Sequence, residues 1–108
     1  MLILFDQGTP VPIRRFLTGH KVETTVQRGW DTLKNGDLLR AAQDAGFEVL
    51  VTPDKNIRYQ QDLKAFAIAI VVLGNPQWPA LRRHVDRVVA AVAGAKPGEY
   101  IEVEIPDL

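Results

Sequence analysis

Residues 68–73, Ile-Ala-Ile-Val-Val-Leu, are six consecutive apolar residues. A strand with one wet face alternates polar and apolar positions, so an unbroken run of this kind predicts a strand covered on both faces, as in a parallel sheet lined by helices. Two further runs upstream have the same character, Leu2 to Phe5 and Val49 to Val51, and Val22 to Thr25 is expected as another strand. Helical patterns separate them. Pro10 and Pro12 precede a short helix over Ile13 to Leu17, with Gly19 as its stop. Asn35-Gly36-Asp37 opens a helix whose apolar stripe is Leu38, Leu39, Ala42 and Ala45, with Asn35 read as its cap and Gly46 as its end. A helical pattern also runs from Ile57 to Phe66. Downstream, Leu81, Val85, Val88, Val89 and Val92 keep helical spacing while Arg82, Arg83, Asp86 and Arg87 face away from that stripe. The last element differs, because Ile101, Val103 and Ile105 alternate with Tyr100, Glu102 and Glu104 at a period of two. That pattern suits an edge strand kept from unwanted pairing by its acids, or one that meets a second copy in a homodimer. The order of elements is that of an α/β fold with a mostly parallel sheet.

A length of 108 residues fits one domain spanning 1–108, large enough for a continuous core without disulfides or structural metal. With no cysteine there is no thiol nucleophile and no Cys-ligated zinc, and a reducing, cytoplasmic setting is expected. Met1 to Phe5 lacks the basic leader of a secretion signal, and no stretch reaches membrane-spanning length, so no membrane partner is expected. Thirteen basic and thirteen acidic residues cancel to a formal net charge of +0. No global field holds nucleic acid, and any contact with it must be local.

In open parallel sheets ligands gather beyond the carboxyl ends of the strands. The first strand exits into Asp6-Gln7 and the strand at Val49 into Thr52-Pro53-Asp54-Lys55-Asn56. If the two strands are neighbours, Asp6 and Asp54 meet on one rim and can share a cation, with Asp37 at the nearby helix start as a third oxygen donor. Each also has an ordinary explanation. Asp6 and Asp54 sit in turn-forming contexts, Asp37 suits a first helical turn, and Asn56 either caps the next helix or extends the oxygen cluster. A set of oxygen donors alone selects magnesium, calcium or manganese over zinc or copper. His20 and His84 are isolated and carry no ligand spacing, and Trp30 and Trp78 read as packing anchors.

Leu4-Phe5-Asp6-Gln7-Gly8-Thr9-Pro10, together with Val49-Leu50-Val51-Thr52-Pro53-Asp54-Lys55-Asn56, resembles the PIN-like nuclease family, and more narrowly its short branch of bacterial toxin-like proteins. The resemblance covers most of the chain, through Ile68 to Gly74. It implies a three-layer α/β/α sandwich of about five strands, a Mg2+ or Mn2+ site at the carboxyl edge of the sheet, and metal-dependent hydrolysis of RNA. In that pattern Asp6 matches the acid ending strand one, and Thr52 and Asp54 match a Thr-x-Asp signature. The mid-chain helix acid aligns with Asn35 or, with a small shift, with Asp37. Catalytic and metal roles then fall to Asp6, Asp54 and Asp37, with Thr52, Asn56, Asn35 and Gln7 in support. Arg14, Arg15, Lys55 and Arg58 are the candidates for the RNA backbone. A toxin–antitoxin setting would add an antitoxin protein as partner. The chain departs from the family where Gln7, Asn35 and Asn56 stand in place of acids. Those amides motivate the alternative of a catalytically degenerate interaction module. A receiver-type signalling domain, the third alternative, wants paired acids after strand one and a Lys-Pro following a strand, whereas Lys96-Pro97 precedes one.

Overall fold

The structure, a computed structural model, describes residues 1–57 and 63–106. Five parallel strands, β1 (Leu2–Phe5), β2 (Lys21–Thr24), β3 (Val49–Thr52), β4 (Ala69–Leu73) and β5 (Tyr100–Val103), form one sheet in the order β2-β1-β3-β4-β5. Parallel neighbours require crossovers, and these cover both faces. Over one face lie a 3-10 helix, Val11–Phe16, and the segment made of α3 (Trp78–Leu81), a 3-10 turn (Arg82–His84) and α4 (Val85–Gly94). Their Ile13, Leu81, Val88 and Val92 pack on Ile3, Phe5, Val51 and Val71. Over the other lies α2 (Asn35–Asp44), whose Leu38, Leu39 and Ala42 pack on Leu4, Leu50, Ile70 and Val72. Three layers result. Alternate residues of each central strand feed opposite cores, which is why β3 and β4 are buried at every position. No helix of the described residues is long and apolar enough to cross a membrane.

Several boundaries differ from the sequence expectation for local reasons. The helix expected over Ile13 to Leu17 is a 3-10 helix, held by bonds such as Ile13 N–H to Pro10 O, the tighter form used in short pieces. The second strand ends at Thr24 rather than Thr25. Thr24 and Gln27 form a reciprocal capping box that turns the chain into α1 (Thr25–Arg28). Beside it, Arg28 binds Glu23 through two bonds of 3.0 and 3.1 Å and holds that carboxyl below its usual range. The same guanidinium lies over the rings of Trp30 and Phe47, so Trp30 is indeed a packing anchor. The stripe from Leu81 to Val92 is interrupted by the 3-10 turn at Arg82–His84. Of the helix expected from Ile57 to Phe66, residues 58–62 lie outside the described residues, and Leu63–Ala65 is a single 3-10 turn.

Gly74 directly follows β4 and lies against the backbone of Val103 to Ile105. A Cβ there would sit 2.8 Å from the carbonyl oxygen of Val103, which already accepts the Gly74 N–H. A Cβ added at Gly94, in the last turn of α4, would meet nothing within 4 Å outside its own helix backbone. Gly74→Ala is expected to destabilise the fold by about 1–3 kcal/mol. Gly94→Ala is expected to stabilise it by about 0.4–1 kcal/mol. Urea denaturation of the two variants beside the parent checks both signs.

Candidate metal centre at the carboxyl edge of the sheet

Parallel pairing of β1 with β3 sets Phe5 beside Val51, and the ladder continues one step further, with the Asp6 N–H donating to Val51 O at 2.9 Å. Phe5 and Val51 belong to the core under the 3-10 helix, so by alternation Asp6 and Thr52 turn toward the α2 side. There the Thr52 hydroxyl donates to Asp6 Oδ2 at 2.9 Å and accepts the Asp54 N–H at 3.1 Å. One fully buried hydroxyl thus ties the first acid to the backbone of the second.

The Asp54 carboxylate is held from two sides. Asn35 Nδ2 donates to Oδ2 at 2.9 Å and the Asn56 N–H to Oδ1 at 2.9 Å. Asp6 Oδ1 accepts the Gln7 N–H at 2.8 Å. Each of the four carboxylate oxygens accepts one hydrogen bond among the described residues, and a carboxylate oxygen with one such bond keeps lone-pair capacity. Among the described residues neither carboxylate is paired with a basic side chain. The donors are hard oxygens throughout, the chemistry that favours magnesium, calcium or manganese over zinc or copper.

The loop after β1 is locked onto the same rim. Thr9, a buried residue whose importance its turn context conceals, donates from its hydroxyl to Val51 O at 3.0 Å, and its N–H donates to Asp6 O. Gly8 takes φ +84 and its Cα faces Pro53, where an added Cβ would stand 3.0 Å from the ring. Only glycine suits both demands.

Not every sequence candidate joins this cluster. Asp37 is exposed on the first turn of α2, with its carboxylate 3.9 Å from Arg40, and the bonds linking Asp6 to Asp54 do not reach it. Among the described residues no group of three His, Cys, Asp or Glu is placed to hold an ion. Asn35 is not the helix cap. Lys34 is, without a side-chain bond, while Asn35 bridges to Asp54 across the gap between α2 and β3. Gln7 and Asn56 contribute backbone N–H groups. Arg14 and Arg15 lie exposed on the 3-10 helix, and Arg58 falls outside the described residues. Lys55 lines a cleft of about 580 Å³ together with Gly74, Asn75, Glu102 and Glu104, and those two acids make it a poor phosphate seat. A second cleft, of about 320 Å³, opens beside Asp6 between Val11 and Val26.

The sheet order β2-β1-β3-β4-β5 reverses direction at β1 and β3, so the two acids stand at the switch point where doubly wound sheets bind ligands. Receiver-type domains share that order, but here β5 runs into Val103-Glu104, and Lys96-Pro97 lies before it. Compared with family models, curated proteins and solved structures, the chain matches none.

Thr52→Val keeps the shape of the side chain but removes both bonds, leaving Asp6 Oδ2 and the Asp54 N–H without their partner. A loss of about 1–3 kcal/mol is expected in chemical denaturation, with Thr52→Ser retaining most of the stability. Equal stability of the valine variant would mean that the hydroxyl does not tie the rim together.

Proposed function

We propose that the protein is a PIN-like, metal-dependent ribonuclease whose centre is the Asp6–Thr52–Asp54 cluster. The observation that carries this is one buried hydroxyl at the switch point of the sheet that binds the Asp6 carboxylate and the backbone N–H of Asp54, with no basic side chain paired to either carboxylate among the described residues. Asp6 and Asp54 would hold Mg2+ or Mn2+. Such an ion, when bound, polarises a phosphoryl oxygen and acidifies a coordinated water. The chain's own residues then act as positioners. Thr52 fixes the spacing of the acids, Asn35 and the Asn56 N–H orient the Asp54 carboxylate, and Thr9 holds the loop that carries Asp6. The cleft beside Asp6, about 320 Å³, would offer room for a nucleotide.

The amides favour a second reading. Asn35 donates a hydrogen bond to Asp54 where an acid would add a third negative charge. A site with two carboxylates retains less charge for cations than one with three or four, which is what a degenerate interaction module, for instance one bound by an antitoxin, would retain.

Asp6→Asn and Asp54→Asn separate the two. Cleavage of single-stranded RNA in Mn2+ is expected from the parent and is expected to fall to background in both variants; equal cleavage by all three forms would remove the assignment. Calorimetric titration with Mn2+ is expected to give carboxylate-dependent binding, and no heat from the parent would favour the inert module.

A further inference from the structure

Charge is neutral over the chain but not over its surface. The layer formed by residues 11–16 and 78–94 carries Arg14, Arg15, Arg82, Arg83 and Arg87 against Asp86 alone, a net charge of +4 with His84 neutral, and the rest of the chain carries the opposite excess. All five arginines are exposed. Among the described residues none of them is within ion-pair distance of a carboxylate, and only Arg87 has a described acceptor, the carbonyl oxygen of Glu104 at 3.1 Å.

An aromatic pair joins the two elements of this layer. Phe16, at the end of the 3-10 helix, is 45% exposed, and its ring centroid is 6.4 Å from that of Trp78 at the start of α3. Arg82 follows Trp78 by four residues, and Arg14 and Arg15 directly precede Phe16, so the exposed cations come from the same two elements as the rings. Unpaired guanidinium groups beside an exposed ring satisfy no requirement of the core. Holding several like charges together without counterions costs stability, which a polyanion would relieve.

We infer that this face, formed by the 3-10 helix and the α3–α4 segment, binds the backbone of single-stranded nucleic acid, with the phosphates on Arg14, Arg15, Arg82 and Arg83 and an unpaired base on Phe16. Guanidinium groups suit phosphate oxygens in their fork geometry, and an exposed ring takes any base on its π-face. A duplex offers the phosphates but no free base, and an acidic peptide offers the charge but no ring to stack. None of these residues belongs to the Asp6–Asp54 centre. Because the 3-10 helix follows β1 and α3 follows β4, the face begins at the same carboxyl edge of the sheet.

Fluorescence anisotropy with labelled oligouridine and oligodeoxythymidine, in EDTA, tests binding apart from any metal chemistry, so failure of the nuclease reading leaves this result standing and the reverse. Affinity is expected to fall between 50 and 200 mM salt with a log–log slope of about −3, from roughly 0.7 per phosphate over four contacts. The quadruple variant R14E/R15E/R82E/R83E is expected to bind at least about tenfold more weakly. Phe16→Ala, which keeps every charge, is expected to bind about fivefold more weakly. Should the quadruple variant lose its circular-dichroism signature, the pairs R14E/R15E and R82E/R83E decide, each losing part of the affinity. Unchanged binding by the variants overturns the inference. Equal affinity for a duplex, or displacement by polyglutamate as effective as by unlabelled oligouridine, overturns it too, the latter pointing to an acidic protein partner.

Discussion

A hydroxyl shared between one carboxylate and the backbone of a second acidic residue organises one edge of this molecule. Thr52 gives its proton to Asp6, which it reaches because β1 and β3 are parallel neighbours in a register that pairs Phe5 with Val51, and it receives the Asp54 N–H within its own turn. A slip of one residue would turn Asp6 to the opposite core. The hydrophobic alternation that fixes the register, with Phe5 and Val51 in one core and Leu4 and Leu50 in the other, therefore also fixes the geometry of the polar cluster. Packing energy sets where the carboxylates stand, and the hydrogen bonds set how they point.

The surface follows the same division. The carboxyl edge of the sheet gathers acids, at Asp6 and Asp54 and again at Glu102 and Glu104, while the layer over the opposite core gathers five arginines. Because these regions balance, the formal charge of +0 conceals a separation of charge over short distances. At physiological salt the screening length is about 8 Å, so a ligand senses each region locally.

Much of the architecture was legible because it depends on local pattern. Residues 68–73 announced a strand buried on both faces, and the alternation from Tyr100 to Ile105 announced an edge strand, which β5 is. Asp6, Thr52 and Asp54 were legible for the same reason, since each closes or follows a strong apolar run. Asn35 was not. An asparagine at a helix start caps or bridges according to what faces it across a tertiary gap, and the loop after β3 supplies an acceptor that no local pattern reveals. Asp37 stands apart from these bonds, exposed beside Arg40 in the first turn of α2. Thr9 was overlooked because its partner, Val51 O, is a main-chain atom forty-two residues away. The face around Phe16 and Trp78 required the fold as well, since its two elements are far apart in sequence.

A crystal soaked in manganese and measured at a wavelength where the ion scatters anomalously tests the central claim most directly. The account predicts an anomalous peak between the carboxylates of Asp6 and Asp54, on the side away from Thr52. A peak confined to Asp37, Glu102 or Glu104, or no peak at saturating manganese, would contradict it.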